Sequence, residues 1–400
     1  MSEIKLSGTT VINNTGGAVT VDANQLQIGS TTVIDNNKKL SNVDIVPNSS
    51  FMFRNKVING DMRINQRGDV TLTTDDQSTY TGVDRFKING NPPSARGTIK
   101  RTADAPEGLA YCLELDVTQN GTPTSTYFGN ITQIIEGQNL SDLNWGTTNA
   151  KSVTLSFWVK TNISGGANGF TISLSTDTAN DRSIHKTYKV NQANTWEKKS
   201  ITFPGDTSNA IPNTNTIGLQ VSWCHSAFSD RQTSTADTWK AGNRGYALQN
   251  AAPNFWSSTD NYFKITGVQL EIGTVATPFE HRPLGMELSL CERYYQVKNL
   301  FGTNTIHYAH GYYGGSANYN YYTLNTTMRS APSVTISQPT QVQIYHNNGS
   351  WTNVTITVQK TYTDLIGLYF GDNGNNYSGL IRLTGDAADT KPTALCSSEL

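Results

Sequence analysis

From Ser152 to Thr161 apolar and polar residues alternate without a break. Val153, Leu155, Phe157 and Val159 share one side, and Thr154, Ser156, Trp158 and Lys160 share the other. A period of two marks an extended strand with one face on a core; a helix would scatter both sets around its axis. The pattern recurs. Tyr111, Leu113, Leu115 and Val117 alternate with Cys112, Glu114 and Asp116, and Ile217, Leu219, Val221 and Trp223 alternate further on. Ile265, Val268, Leu270 and Ile272 stand among Thr266, Gln269 and Glu271, with Gly267 placed for a bulge. Shorter signals lie at 84–88, 131–135, 170–174, 187–190 and 195–204, and 140–145 reads as a helical turn. Turns rich in Gly, Asn and Asp separate them, so the chain is read as all-β, with enough strands for two packed sheets.

Charge narrows the partners. Charged residues are 15% of the 400, and the formal net charge is −1. Phosphate tracking needs a basic stripe, so no nucleic acid is expected as a partner. No apolar run approaches the ~20 residues that span a bilayer, so no membrane insertion is expected. The opening MSEIKLSGTT has neither a basic start nor an apolar core, and the chain reads as a soluble protein made in the cytoplasm. Cys112, Cys224, Cys291 and Cys396 form no close pair and are read as free core thiols.

Residues 1–54 differ in character. TTVINN at Thr9–Asn14 returns as TTVIDN at Thr31–Asn36. Each unit is too thin to bury its own core, and two copies fall short of a stable array. An intertwined three-chain stalk would bury Val11, Ile12, Val33 and Ile34 against their counterparts. The alternative is an arm that orders on a larger assembly. Either way this segment attaches.

Asn55–Gly68 opens the main domain, with Asn59-Gly60-Asp61 as a turn. Its polar side chains either form a ligand-binding edge or close the sandwich onto neighbouring loops. Phe228–Phe263 has no strand period and holds Trp239, Tyr246, Phe255, Trp256 and Tyr262, the kind of long connection that carries function. Gly273, Pro278 and Pro283 end the β domain. Leu284, Leu288, Cys291 and Tyr295 then follow a helical stripe, with Glu287 and Arg293 placed to suit the helix dipole. Strand signals return at 319–324, 333–337, 342–345, 354–358, 365–370 and 380–383, with Asn347-Asn348-Gly349 as a hairpin turn. The predicted order is an extended N-terminal stalk or anchor (1–54), a β-sandwich (55–282), then a short helix leading a smaller C-terminal β-sandwich (283–400).

Three segments carry a family resemblance. NKVINGDMRINQRG (Asn55–Gly68), AKSVTLSFWVKT (Ala150–Thr161) and ITGVQLEIGTVATPFEHRP with ELSLCERYYQV (Ile265–Pro283, Glu287–Val297) resemble, in this order, segments of bacteriophage tail-fibre and virion-fibre proteins. The resemblance implies a jelly-roll, carbohydrate-binding-module-like domain on a virus particle. It also implies a homotrimer, attachment to other virion proteins through the N-terminal segment, and a distal C-terminal end meeting a host-surface glycan. The expected role is a phage tail fibre for host adsorption. Alternatives are a head or capsid fibre or decoration protein, and a fibre-borne polysaccharide depolymerase.

Nothing in the sequence selects a catalytic centre. No nucleophile elbow, phosphate-cradling glycine loop or cysteine signature is present. His307 and His310 lack an evident third ligand, Cys224-His225 stands alone, and Asp372-Asn373-Gly374-Asn375 reads as a turn before a Ca²⁺ loop. Glu114 and Asp116 share a strand face, Asp75 and Asp76 share a turn, and neither pair is framed as a sugar-cleaving site. His281 is read as salt-linked between Glu280 and Arg282. Neither enzyme activity, metal nor cofactor is expected. Binding chemistry remains: sugars show an apolar C–H face and a polar rim, which aromatic rings beside amides match. The candidates are Trp239, Tyr246 and Trp256 in the long connection, and Tyr312, Tyr313, Tyr319 and Tyr321 in the C-terminal domain. Trp196 and Trp223 are read as core.

Overall fold

The computed structural model describes the chain apart from residues 1–3, 7–8, 16–17, 22–25, 29–30, 35–52, 76–77, 92–93, 123, 164–168, 177–180, 243–246, 252, 301–305, 309–317, 341, 347–349, 372–376 and 384–391. It divides into two compact units, Met1–Met52 and Phe53–Leu400. In the first, Ile4–Leu6, Thr9–Thr15 and Ala18–Val21 form an antiparallel three-stranded sheet, and Leu26–Ile28 pairs with Thr31–Ile34. Val11 and Ile12 therefore lie on one strand, and Val33 and Ile34 on another. Their side chains lie outside what is described.

The second unit is all-β apart from one α-helix and three 3-10 turns among the described residues. Its body is two antiparallel sheets. One has six strands in the order Glu197–Phe203, Val153–Thr161, Tyr262–Ile272, Cys112–Gln119, Arg96–Thr102 and Val70–Leu72. The other runs Lys240–Ala241, Arg182–Tyr188, Phe170–Ser175, Ile217–Ala227, Phe128–Glu136, Phe86–Gly90 and Thr79–Tyr80. The chain crosses repeatedly between them, as in a jelly roll. Val153, Leu155, Phe157 and Val159 are fully buried, as their alternation predicts, against Ile172, Leu174, Val221 and Trp223 of the facing sheet. Phe157 meets Trp223 edge-on at 5.6 Å, the geometry that aromatic quadrupoles favour.

Gly267 is the predicted bulge. Ser156 pairs with Gln269 and Trp158 with Thr266, so Phe157 faces two residues, Gly267 and Val268. Gly267 has φ +59, a left-handed conformation that glycine adopts without steric cost. Beyond the bulge the strand has lost its neighbour Cys112–Gln119, whose pairing ends at Ile265. The segment from Asn55 replaces it. Val268 N donates to Gly60 O (2.9 Å), Lys56 N to Leu270 O (2.8 Å) and Leu270 N to Asn55 Oδ1 (3.0 Å). The polar residues of Asn55–Gly68 thus close the sandwich. Arg282 continues the lock, binding Asn55 O and Val57 O and pairing with Glu287, which accepts from Asn59 N. His281 is exposed, packs on Phe279, and leaves the ion pair to Glu280 and Arg282, contrary to its reading as the salt-linked residue.

The helix spans Leu284–Glu292, but its buried face differs from the predicted stripe. Glu287, Cys291 and Glu292 are buried, Leu284 is exposed, and Tyr295 already belongs to a strand. The helix packs on a polar knot, so apolar spacing misjudged which face turns inward. C-terminal to it, Tyr295–Asn299, Thr393–Ser397 and Ser333–Ile336 form a three-stranded sheet. A six-stranded sheet runs Ile306–Tyr308, Tyr377–Leu383, Val342–His346, Trp351–Thr361, Leu365–Gly371 and Asn318–Thr323. Val342 and Val354, with Ile356, Ile366, Leu368 and Phe370, give this region its own core.

The two cores are joined by charge. Arg85 is 1% exposed, stacks 3.3 Å over Tyr294, donates to Ile134 O and pairs with Glu399. Arg67 stacks on Tyr295 and also pairs with Glu399 (3.0 Å). Arg293 makes a forked pair with the buried Glu136 at 2.8 and 2.9 Å. Buried planar guanidiniums matched to carboxylates and rings fix orientation more strictly than apolar contact does.

Candidate functional site

The aromatic residues singled out in the long connection divide. Trp256 is 1% exposed and is a core residue. It sits in a 3-10 turn, Phe255–Ser257, that plugs one end of the sandwich, against His225 of the seven-stranded sheet and Gly97 of the six-stranded one. A ring enclosed in this way offers no stacking face, so Trp256 is withdrawn as a binding candidate. Trp239 is partly buried, meets Trp145 edge-on at 5.1 Å and donates its indole N–H to Pro204 O (2.8 Å). Those contacts make it part of the sandwich rim. Tyr246, Tyr312 and Tyr313 lie outside the described residues.

In the C-terminal sheet Tyr319 and Tyr321 stand at alternate positions of the strand Asn318–Thr323, in register with Tyr369 and Gly367. Tyr321 is 50% exposed, and its ring lies across Gly367, whose missing side chain leaves the room. His310 and Asp372-Asn373-Gly374-Asn375 lie outside the described residues, as does the side chain of His307.

The larger assembly of aromatic and polar groups is on the outer face of the six-stranded sheet. Lys160, Lys264, Glu114 and Lys100 are register partners across four strands. Asp104, just past the end of Arg96–Thr102, sits beside this row. It accepts from Lys264 Nζ (2.8 Å), Lys160 Nζ (3.0 Å) and the Trp196 indole N–H (3.2 Å). Lys264 also meets Glu114 at 3.2 Å, and Lys100 lies 3.9 Å from Glu114 and 3.7 Å from Asp116. Tyr262 joins them, with Lys264 over its ring.

Trp158 stands next in line, opposite Lys198 on one side and Thr266 on the other. It is partly exposed. Its ring covers the Gly267 bulge: a Cβ there would come within 2.9 Å of Trp158 Cδ1 and of Leu109 Cδ1. Beside it, Thr266 donates its hydroxyl to Tyr111 O (2.6 Å). Sequence reasoning missed this face. Trp196 was read as core, yet it is only partly buried and is held by Asp104. A signal was available: Trp158 is the aromatic residue on the polar side of the Ser152–Thr161 alternation.

Asp104 is held down to about 2. Burial acts against its charge, but the Lys264, Lys160 and Trp196 donors outweigh it. Asp84 and Glu287 move the other way, pushed up by burial. Asp84 is hydrogen-bonded to Gln66, and Glu287 serves Asn59 and Arg282. These two carboxyls are internal supports away from the sheet face. Among the described residues no group of three or more His, Cys, Asp or Glu could hold a metal, and no helix is long and apolar enough to cross a membrane. The four cysteines are free and buried, and burial raises each thiol.

No protein-family model and no curated protein matches the chain. Solved structures give loose likenesses. The enzymatically active domain of bacteriophage CBA120 tailspike protein 4 is 14% identical, with a TM-score of 0.27 over 55% of this chain and 22% of that one. A putative sugar binding protein from Bacteroides thetaiotaomicron is 12% identical, with a TM-score of 0.29 over 55% of this chain and all of the other. The tandem CBM22 domain of Paenibacillus barcinonensis Xyn10C is 10% identical, with a TM-score of 0.25 over 82% and 97%. The match thus spans about a fifth of the tailspike chain's length. Likenesses this loose assign this chain neither fold nor ligand.

Proposed function

We propose that this chain is a structural fibre protein of a bacteriophage particle, a tail fibre, that recognises a glycan on the host surface. One observation carries the reading. The three segments that resemble phage fibre proteins lie far apart in sequence, yet they meet in one framework. Asn55–Gly60 hydrogen-bonds Val268–Leu270, the same strand pairs with Val153–Thr161, and Arg282 and Glu287 tie the turn at Asn59 to the helix. A module defined by those segments needs that lock, because each segment supplies the hydrogen-bond partners that another lacks.

In this reading residues 1–54 attach the chain to other virion proteins and three copies assemble around them. Multivalence then turns weak single sites into firm adsorption. The role is recognition without chemistry: the carboxyls raised by burial, Asp84 and Glu287, are spent on internal hydrogen bonds, and Asp104 is held ionised by two lysines. The chain reaches its place of action as part of the particle. Light scattering on the full chain, together with its retention by bacterial surface polysaccharide, tests the proposal. Three times 43.7 kDa and retention without loss of polymer viscosity are expected. A monomer that binds no surface polysaccharide contradicts the proposal, and falling viscosity contradicts recognition without chemistry.

A further inference from the structure

We infer that the outer face of the six-stranded sheet, around Trp158 and Trp196, binds a neutral oligosaccharide. The inference rests on the glycan-recognition reading and adds to it the face, the residues and the charge class of the ligand. Trp158 is the anchor. Large rings are normally buried, but this one stands on the polar side of its strand and stays partly exposed. The Gly267 bulge lets the ring lie close over the sheet. Its indole N–H has no acceptor among the described residues, which leaves a donor beside a flat apolar surface, the pair of features that a sugar ring presents in reverse.

Trp196 supplies a second ring. Trp158 pairs with Lys198, and Trp196 stands two residues before Lys198, just ahead of the strand Glu197–Phe203. The bond from its N–H to Asp104 fixes the orientation of the indole before any ligand arrives. Holding binding groups in place beforehand lowers the entropic cost of association.

Charge selects the ligand class. Lys100, Lys160 and Lys264 are matched by Asp104, Glu114 and Asp116 within the row, and Lys198, the exposed register partner of Trp158, adds one lysine with no carboxylate beside it among the described residues. The matched row offers hydroxyl groups both donors and acceptors, and Lys198 leaves the face with a single unmatched positive charge. An anionic polymer, charged along its repeats, would need a run of unmatched lysines or arginines rather than one, and would bind less tightly as salt rises. A neutral sugar needs neither.

The test uses the full chain on printed neutral and anionic bacterial polysaccharides, at low and high salt. The variants are Trp158→Ala, Trp158→Tyr, Trp196→Ala and, on the sandwich rim, Trp239→Ala. The expected result is salt-independent binding to a neutral polymer. Trp158→Ala and Trp196→Ala weaken it about tenfold or more, Trp158→Tyr falls between, and Trp239→Ala matches the parent. Circular dichroism and solution mass stay unchanged in all four. Parent-like binding by both alanine variants overturns the site and leaves glycan recognition standing. Salt-sensitive binding to anionic polymers alone overturns the ligand class. A change of solution mass in Trp158→Ala and Trp158→Tyr alike makes the face a subunit interface and overturns the site. A parent chain that binds no polymer removes the recognition reading and this site with it.

Discussion

His225 makes the fold sensitive to acid, and the size of the effect follows from its surroundings. The side chain is fully buried, packed between Gly129 and the Phe255–Trp256 plug, and neither ring nitrogen has a hydrogen-bond partner. Burial pushes its pKa down to about 3, from an ordinary value of 6.5. On acidification the unfolded chain therefore takes up this proton first. Stability is intact above the unfolded value, falls between the two, and stops falling near the folded value. Each pH unit inside the window costs ~1.4 kcal/mol, and by about pH 4 the loss from this one group approaches ~3 kcal/mol. Replacement by leucine, which carries no proton, removes the term. The assay is urea unfolding of the full chain followed by tryptophan fluorescence, from about pH 8 to pH 4, for the parent and His225→Leu. Other groups titrate too, but they are common to both proteins, so the difference between the two curves isolates His225. The parent should lose ~3 kcal/mol more than the variant on acidification. Parallel curves would refute the argument that an enclosed, unpartnered imidazole is kept neutral by the fold.

Other perturbations act on single supports. Glu399→Gln leaves Arg85 as a buried charge without its carboxylate, and a loss of ~3–5 kcal/mol should appear in the urea midpoint. Gly267→Ala must adopt a left-handed φ and push against Trp158 and Leu109, so a loss of at least ~1–2 kcal/mol is expected, read as a lower melting temperature. Asp104→Asn weakens the charged bonds to Lys160 and Lys264 at a partly exposed site. Its stability cost should stay within ~1 kcal/mol, while altered tryptophan fluorescence reports the loss of the charged acceptor beside the Trp196 indole.

The body of the fold was legible where burial imposed a period. Ser152–Thr161 showed its strand and its inward face, and Gly267 showed its bulge, because both follow from alternation and from the steric freedom of glycine. Arg96–Thr102 was invisible: Ile99 is its only large apolar residue, and its pairing to Cys112–Gln119 depends on the backbone. Trp256 was misread because a segment without a period does not reveal whether its rings turn inward or out. The helix was found, but its buried face was not, since Arg282 and Asn59 make a glutamate the inward residue. The charged row was legible only as separate residues; register across four strands assembled it.

The most direct test of the central claim is binding of the labelled full chain to intact host-range bacteria before and after periodate treatment of the cell surface. Periodate cleaves vicinal diols and spares most surface protein. The account predicts saturable binding that the treatment abolishes and that added surface polysaccharide competes away. Binding unchanged by periodate and unaffected by the polysaccharide would show that the chain recognises something other than a glycan.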